Sequence, residues 1–103
     1  MARFQQGTHS FTFDQPPVIT HWASVSGKKE SEGPLQTYFD ITSEDTHFGQ
    51  KTWEQAEKQL QKLALDTLVK KAGMTRQQLG MVFSGDLLNQ CIGSSFTLRN
   101  AGI

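Results

Sequence analysis

The chain has 103 residues, with ten Lys and Arg against ten Asp and Glu, a formal net charge of +0 and 36% hydrophobic residues. This length allows one small domain with a limited apolar core and excludes a second domain. Balanced charge argues against a dedicated nucleic-acid-binding protein. No apolar run reaches the ~18 residues that span a bilayer, and the start lacks the apolar region of a signal peptide. The sequence therefore predicts a cytoplasmic protein.

The first half of the chain is rich in turn residues and predicts strands within residues 1–25. Phe11 to Phe13 has the composition of a short strand, and the β-branched and aromatic stretch from Val18 to Val25 predicts a second, buried strand. Two prolines separate them. Residues 26–51 have loop composition and little periodicity. A loop this long is often functional or covers a site.

A helix is predicted over residues 52–72. Thr52 can cap its start, and Glu54 and Glu57 lie where the helix dipole favours negative charge. Gly73 can end the helix in a left-handed conformation. The apolar positions repeat with a helical period and predict one buried face, formed by Trp53, Ala56, Leu60, Leu63, Ala64, Leu68 and Val69.

The last third of the chain predicts a strand over residues 80–86 and a final helix over residues 94–101, which Ser94 or Ser95 can cap. The order strand, helix, strand predicts a βαβ unit with parallel strands and a right-handed crossover, and hence an α/β fold. Two strands and two helices cannot cover both faces of such a sheet. We therefore expect further strands beyond Ile103.

Catalytic and metal-binding motifs find little support in the sequence. Cys91 has no second cysteine and no short motif linking it to a histidine, so a buried or incidental thiol is the better interpretation. No HxH or HxxxH pair occurs, and the glycines form no nucleotide-binding motif. We expect no catalytic residue, no metal site and no cofactor. The residues weighed for these roles are His9, His21, His47, Asp40, Asp45 and Cys91.

The stretch from Ser84 to Gln90 is the best local candidate for a binding site. It follows the second predicted strand, at the edge where open α/β sheets bind their ligands. Its polar side chains beyond the strand are Asp86, Asn89 and Gln90. The alternative is a simple turn, because Gly-Asp is common turn chemistry and an asparagine can cap the following helix. Both interpretations remain open from the residues alone.

Four segments carry a resemblance to a known family. They are Lys29-Glu30-Ser31-Glu32-Gly33-Pro34-Leu35, Phe39-Asp40, Gln50-Lys51-Thr52-Trp53-Glu54 and Gly85-Asp86-Leu87-Leu88-Asn89-Gln90. Their order and spacing resemble those of the stage V sporulation protein AD family. The likeness runs from about Phe11 to the closing Asn100-Ala101-Gly102-Ile103, so it covers nearly the whole chain.

The resemblance implies a thiolase-like fold, similar to the β-ketoacyl carrier-protein synthase III group, of which this chain is the N-terminal portion. It implies a protein that binds dipicolinic acid and helps to move it into the developing spore, rather than an enzyme. Family members are much longer, and the cysteine at the thiolase nucleophile position comes after the segment that matches Asn100 to Ile103. Cys91 does not fall on that position, so no catalytic residue carries over.

Under this hypothesis, Asp86, Asn89 and Gln90 line or support the pocket wall or a subunit interface. Dipicolinate is a dianion, so the two amides can donate hydrogen bonds to it, whereas Asp86 is expected to orient a neighbouring donor or to act through calcium. The partners implied are dipicolinic acid, free or as its calcium chelate, the other stage V sporulation protein A membrane components, and a second copy in a homodimer. The location implied is cytoplasmic, peripheral to the spore inner membrane.

Two alternatives remain open at this point. In the first, the chain is the N-terminal half of an acyl-transfer enzyme of the thiolase type, which requires an activated cysteine elsewhere. In the second, it is an independent interaction module, which requires that the chain unfold cooperatively by itself.

Overall fold

The computed structural model describes residues 3–89, 92–99 and 101–103, and these form a mixed α/β structure. Two short 3-10 turns lie at Gln36–Tyr38 and Arg76–Gln78. In chain order the strands and helices are β1 (Arg3–Gln6), β2 (Ser10–Phe13), β3 (Val25–Ser26), α1 (Lys28–Ser31), β4 (Ile41–Thr42), α2 (Trp53–Ala72) and α3 (Ile92–Leu98).

β1 and β2 form an antiparallel hairpin in which Gln6 lies opposite Ser10. The turn between them contains Gly7 with φ +67°, a conformation that favours glycine. β2 contains the predicted strand from Phe11 to Phe13. All four residues of β2 are exposed, so the hairpin lies at the surface.

The predicted strand from Val18 to Val25 is wrong for most of its length. Only Val25 belongs to a strand, and Val18 and Ile19 are 77% and 85% exposed rather than buried. The reason is that β-propensity describes side chains that fit a sheet, while a strand forms only where a neighbour accepts its backbone hydrogen bonds. Among the described residues, that neighbour is present only where the stretch reaches Ser24 and β3.

The segment predicted to be a loop, residues 26–51, contains regular structure. It forms α1, a 3-10 turn and β4, and β4 returns to pair in parallel with β3. In this pair Val25 lies opposite Ile41 and Ser26 opposite Thr42. Each piece is too short to show periodicity in the sequence, which is why composition alone suggested a loop.

α2 confirms the predicted helix over residues 52–72 to within one residue. The Thr52 side chain caps the start by accepting a hydrogen bond from the Gln55 backbone N–H at 3.2 Å. Gly73 ends the helix with φ +65°. Of the predicted apolar face, Ala56 is buried, and Leu60, Leu63, Ala64, Leu68 and Val69 are half-buried. Trp53 is 54% exposed, so the prediction of burial is wrong for this residue.

The predicted strand over residues 80–86 is absent from the structure, and the βαβ unit with it. Residues 79–86 have no strand assignment, and Met81 and Phe83 are 73% and 89% exposed. An apolar run of this kind needs strands on its two sides to become a buried strand, and the described residues provide none. The parallel pair that does form joins β3 to β4 and does not cross over through α2.

α3 begins and ends earlier than the predicted helix over residues 94–101. It runs from Ile92 to Leu98, so Ser94 and Ser95 lie inside its first turns instead of capping it. α3 packs against α2, and Gly93 is buried at the contact. A Cβ atom built on Gly93 would lie 2.9 Å from Asp86 Oδ1 and 3.4 Å from Glu57 Cγ, so the absence of a side chain allows the close approach.

We predict that Gly93→Ala lowers the free energy of unfolding by about 1–3 kcal/mol, because the new methyl group must displace Asp86 or separate the two helices. Thermal melts followed by circular dichroism measure the effect. Gly80→Ala is the matched control, since its Cβ would meet no atom within 4 Å. Equal melting midpoints for the two variants would contradict the packing described.

Asp40 links the β3–β4 region to the end of α2. Its Oδ1 accepts a hydrogen bond from Lys71 Nζ at 3.0 Å, and its Oδ2 accepts one from the Ser24 backbone N–H at 2.8 Å. The hydrogen bond from Lys71, followed by that from Ser24, holds the pKa of Asp40 below its usual value. A carboxyl with a lowered folded-state pKa contributes stability above its unfolded pKa and loses it as the pH falls through the folded value.

We therefore predict that Asp40→Asn makes the melting temperature less dependent on pH below about pH 4, where an unfolded aspartate becomes protonated. Above that range the variant is less stable than the wild type, because the charged bond to Lys71 is lost. Melts at a series of pH values give the profile. Asp14→Asn, at an exposed carboxylate, is the control, and an Asp40→Asn profile that parallels the wild type through the acid range would refute the assignment.

Candidate functional site

The segment from Gly85 to Asn89 is fastened to one face of α2. Glu57 holds its centre: Oε1 accepts a hydrogen bond from the Leu87 backbone N–H at 2.8 Å, and Oε2 accepts one from the Leu88 N–H at 3.2 Å. A carboxylate with one oxygen on each of two successive amides fixes the backbone more firmly than a neutral acceptor would. The two leucines are consequently held outward, 97% and 51% exposed.

Asn89 is held by Glu54, which lies on α2 one helical turn before Glu57. Its Nδ2 donates a hydrogen bond to Glu54 Oε1 at 2.7 Å. Glu54 belongs to the Lys-Thr-Trp-Glu segment and Asn89 to the Gly-Asp-Leu-Leu-Asn-Gln segment, so two stretches far apart in sequence meet through their polar side chains. The bond fixes the orientation of the Asn89 amide plane.

Asp86 faces inward and joins the segment to both helices. Its Oδ1 accepts hydrogen bonds from Gln61 Nε2 at 2.9 Å and from the Ser94 backbone N–H at 2.7 Å, and its Oδ2 accepts one from Ser94 Oγ at 2.7 Å. Ser94 N–H is one of the first amides of α3, which lack partners within the helix. Asp86 thus supplies the cap that the sequence suggested for Ser94 or Ser95, and it does so from outside the helix.

The described residues include two of the three predicted site residues, and the side chains of these two have different partners. Asp86 and Asn89 lie on the same short segment, with Asp86 turned to the helices and Asn89 turned to Glu54. Gln90 and Cys91 lie outside the described residues. The sequence reasoning missed the role of Gln61 and gave Glu54 and Glu57 only a part in the helix dipole. Their spacing of three and four residues, which places them on one face of α2, was the available signal.

An apolar groove of about 310 Å³ borders the segment. Its floor is the α2 face with Trp53, Ala56 and Leu60. One wall is formed by Gly85, Leu87 and Leu88, and the other by the loop that carries Thr46 and Phe48. Few polar groups line the groove, and the carboxylate of Glu57 already accepts hydrogen bonds from the Leu87 and Leu88 amides. The groove can therefore accept apolar groups in contact with the site segment.

The loop that forms the second wall is ordered around Asp45. The backbone N–H groups of His47 and Gly49 donate to the two Asp45 oxygens at 2.9 and 2.6 Å, and these bonds hold the pKa of Asp45 below its usual value. Phe48 and Gly49 have positive φ angles of 51° and 76°. The His47 ring stacks on Trp53 with a centroid distance of 3.9 Å and an angle of 25° between the planes.

Within residues 3–89, 92–99 and 101–103, no three His, Cys, Asp or Glu side chains come together as a metal site would require. Over the same residues, no helix combines the length and the apolar character that crossing a bilayer demands.

The chain therefore presents a mixed α/β structure in which two of the four motif segments meet at the contact between Glu54 and Asn89. It belongs to the stage V sporulation protein AD family, whose model matches residues 7–103. It is 33% identical over 97 residues to "Stage V sporulation protein AD" of Bacillus subtilis (strain 168). The matched region covers 94% of this chain and 29% of that protein. The chain thus spans less than a third of the length of this relative, consistent with an N-terminal portion. Its family is one of sporulation proteins, as the resemblance predicted.

We predict that Glu57→Ala releases the segment from α2. The amides of Leu87 and Leu88 lose a charged acceptor, so their local opening should become easier by about 1–2 kcal/mol, roughly five- to thirty-fold in exchange rate. Hydrogen exchange followed by NMR measures this at the two amides. Glu44→Ala, at an exposed loop carboxylate, should leave both rates unchanged. Unaltered exchange in Glu57→Ala would show that the carboxylate does not hold the segment.

Proposed function

We propose that the chain is the N-terminal portion of a dipicolinic-acid-binding protein with a thiolase-like fold, which takes part in dipicolinate uptake into the developing spore. The observation that carries the proposal is the contact between Glu54 and Asn89, which ties two segments of the family motif together. Membership of the sporulation family gives the biological setting. The ligand itself comes from the resemblance described above.

The geometry supports a binding role for Asn89 and a supporting role for Asp86. An amide nitrogen carries two N–H groups, so the bond from Asn89 to Glu54 leaves one donor for a ligand carboxylate. Asp86 accepts three hydrogen bonds from Gln61 and Ser94, which is the role of a residue that orients its neighbours. This favours the first of the two roles expected for Asp86 over a direct contact through calcium. Gln90 stays a predicted ligand contact.

The proposal assigns the protein to binding and transport instead of catalysis. It includes the partners implied by the family resemblance: dipicolinic acid, the other stage V sporulation protein A membrane components, and a second copy of the protein. It also includes a location in the cytoplasm, at the periphery of the spore inner membrane. The competing proposal is acyl transfer, which differs in one observable, the turnover of a thioester.

Isothermal titration calorimetry of dipicolinate into the whole protein that contains this chain tests the proposal. We expect saturable binding that Asn89→Ala and Gln90→Ala each weaken by about ten-fold, the loss expected for one hydrogen bond to a charged group. Gln36→Ala, at an exposed amide outside the four motif segments, is the matched control and should bind as the wild type does.

Three results would count against parts of the proposal. No dipicolinate binding by the wild type would refute the ligand. Binding that survives both Asn89→Ala and Gln90→Ala would keep the ligand and remove these residues from the site. Thioester turnover by the same protein preparation would favour the acyl-transfer enzyme instead.

A further inference from the structure

Two basic side chains lie over one aromatic ring where α3 meets α2. Lys58 Nζ lies 5.8 Å from the centroid of the Phe96 ring, and the guanidinium carbon of Arg99 lies 5.7 Å from the same point. Both distances are within the range of a cation–π attraction. The ring therefore helps to orient two cations, one of which lies on α2 and the other directly after α3.

The contacts of α3 with its neighbours place Phe96 beside Lys58. The Thr97 hydroxyl lies 3.2 Å from the Lys58 carbonyl oxygen, within hydrogen-bond distance. The Ser94 backbone N–H donates a hydrogen bond to Asp86 at 2.7 Å. These contacts turn one side of α3 toward α2, and Phe96 stays 50% exposed. The ring is thus available to a partner as well as to the two cations.

Neither cation is paired with a carboxylate among the described residues. The ion pairs there are formed by other basic residues, namely Lys62, Lys71 and Arg76. The acidic residues nearest to Lys58 along α2, Glu54 and Glu57, accept hydrogen bonds from the 87–89 segment. Lys58 and Arg99 are both exposed. Their charges are therefore accessible to a negatively charged partner.

Two shallow depressions with apolar lining border the Phe96 ring. One, of about 290 Å³, includes Ile92, which is 39% exposed, and the other, of about 500 Å³, includes Leu98. Most of the residues that line them are exposed, whereas a small-molecule site encloses most of its ligand. Protein partners are bound across open surfaces of this kind, often around an aromatic or arginine side chain. The shape therefore favours a protein segment over a small anion.

We propose that Lys58, Phe96 and Arg99 form a docking surface for an acidic segment of a partner protein. Carboxylates of that segment pair with the two cations, and an apolar side chain between them contacts Phe96 and Ile92. Charge complementarity selects this partner, because the surface concentrates two cations in a chain whose formal net charge is +0. The docking surface does not require that dipicolinate be the ligand.

Fluorescence anisotropy of a labelled peptide tests the docking surface on the whole protein that contains this chain. The probe is a short fluorescein-labelled peptide in which glutamates flank a central phenylalanine, and the same peptide with glutamines is its uncharged control. We expect saturable binding of the glutamate peptide that weakens as sodium chloride rises from about 0.05 to 0.5 M, because salt screens exposed charges. The glutamine peptide should not bind over the same concentration range.

Variants of the basic residues locate the binding. Lys58→Gln and Arg99→Gln should each weaken binding of the glutamate peptide by about two- to five-fold, the effect of one exposed ion pair, and the double variant by about ten-fold. Lys62→Gln is the matched control, because this exposed lysine lies on the same helix and is paired with Asp66. It should bind as the wild type does. Circular dichroism confirms that each variant is folded.

Several results would overturn the docking surface. Absence of binding, or equal affinity for the two peptides, would show that it does not recognise an acidic segment. Undiminished binding by the double variant would place the peptide elsewhere. Displacement of the peptide by dipicolinate, but not by sodium chloride of equal ionic strength, would assign the two cations to the small ligand instead. Calorimetry with dipicolinate tests the proposed function separately, so either of the two can fail while the other stands.

Discussion

The polar stripe on α2 formed by Glu54, Glu57 and Gln61 is the constraint on which the rest of the structure depends. Its three members hold Asn89, the amides of Leu87 and Leu88, and Asp86, in that order along the helix. Asp86 in turn holds the start of α3. One helix thus positions a connecting segment, and that segment positions the next helix, with hydrogen bonds to charged groups at each step.

This arrangement explains how a chain with little core keeps a defined local geometry. Among the described residues, Ala56 and Ala101 are the buried apolar side chains, and both are small. Hydrophobic burial at those positions contributes little, since the stabilisation scales with the apolar area removed from water. Directional hydrogen bonds to carboxylates and the close contact at Gly93 supply the specificity that burial of large side chains supplies in most domains.

The parts of the fold that the sequence could predict are those governed by local rules. α2 has a cap, a period and a left-handed end within its own residues, and its limits were predicted to within one residue. The stretches from Val18 to Val25 and over residues 80–86 have the same composition as buried strands, but strand formation depends on neighbours that composition does not specify. The cap on α3 was missed for a related reason, since Asp86 lies eight residues before Ser94 and reaches it only through the fold.

The site was predictable in place but not in arrangement. The sequence indicated the segment from Ser84 to Gln90, and the structure shows that it is held by α2. The sequence could not show that Asp86 points to the helices while Asn89 points to Glu54, because the side-chain directions along an irregular segment follow no fixed period. A polar stripe on an otherwise amphipathic helix is the general signal to look for in such cases.

The exposed run that contains Met81 and Phe83 has a consequence for handling the chain in solution. It is apolar, exposed and without a strand neighbour among the described residues, which are the properties of a segment that pairs with other molecules. The chain has a formal net charge of +0 and a sequence pI near 6.8, so mutual repulsion does little to keep copies apart at neutral pH. Its colloidal stability should therefore be lowest near neutrality and improve in buffers at either side of that point.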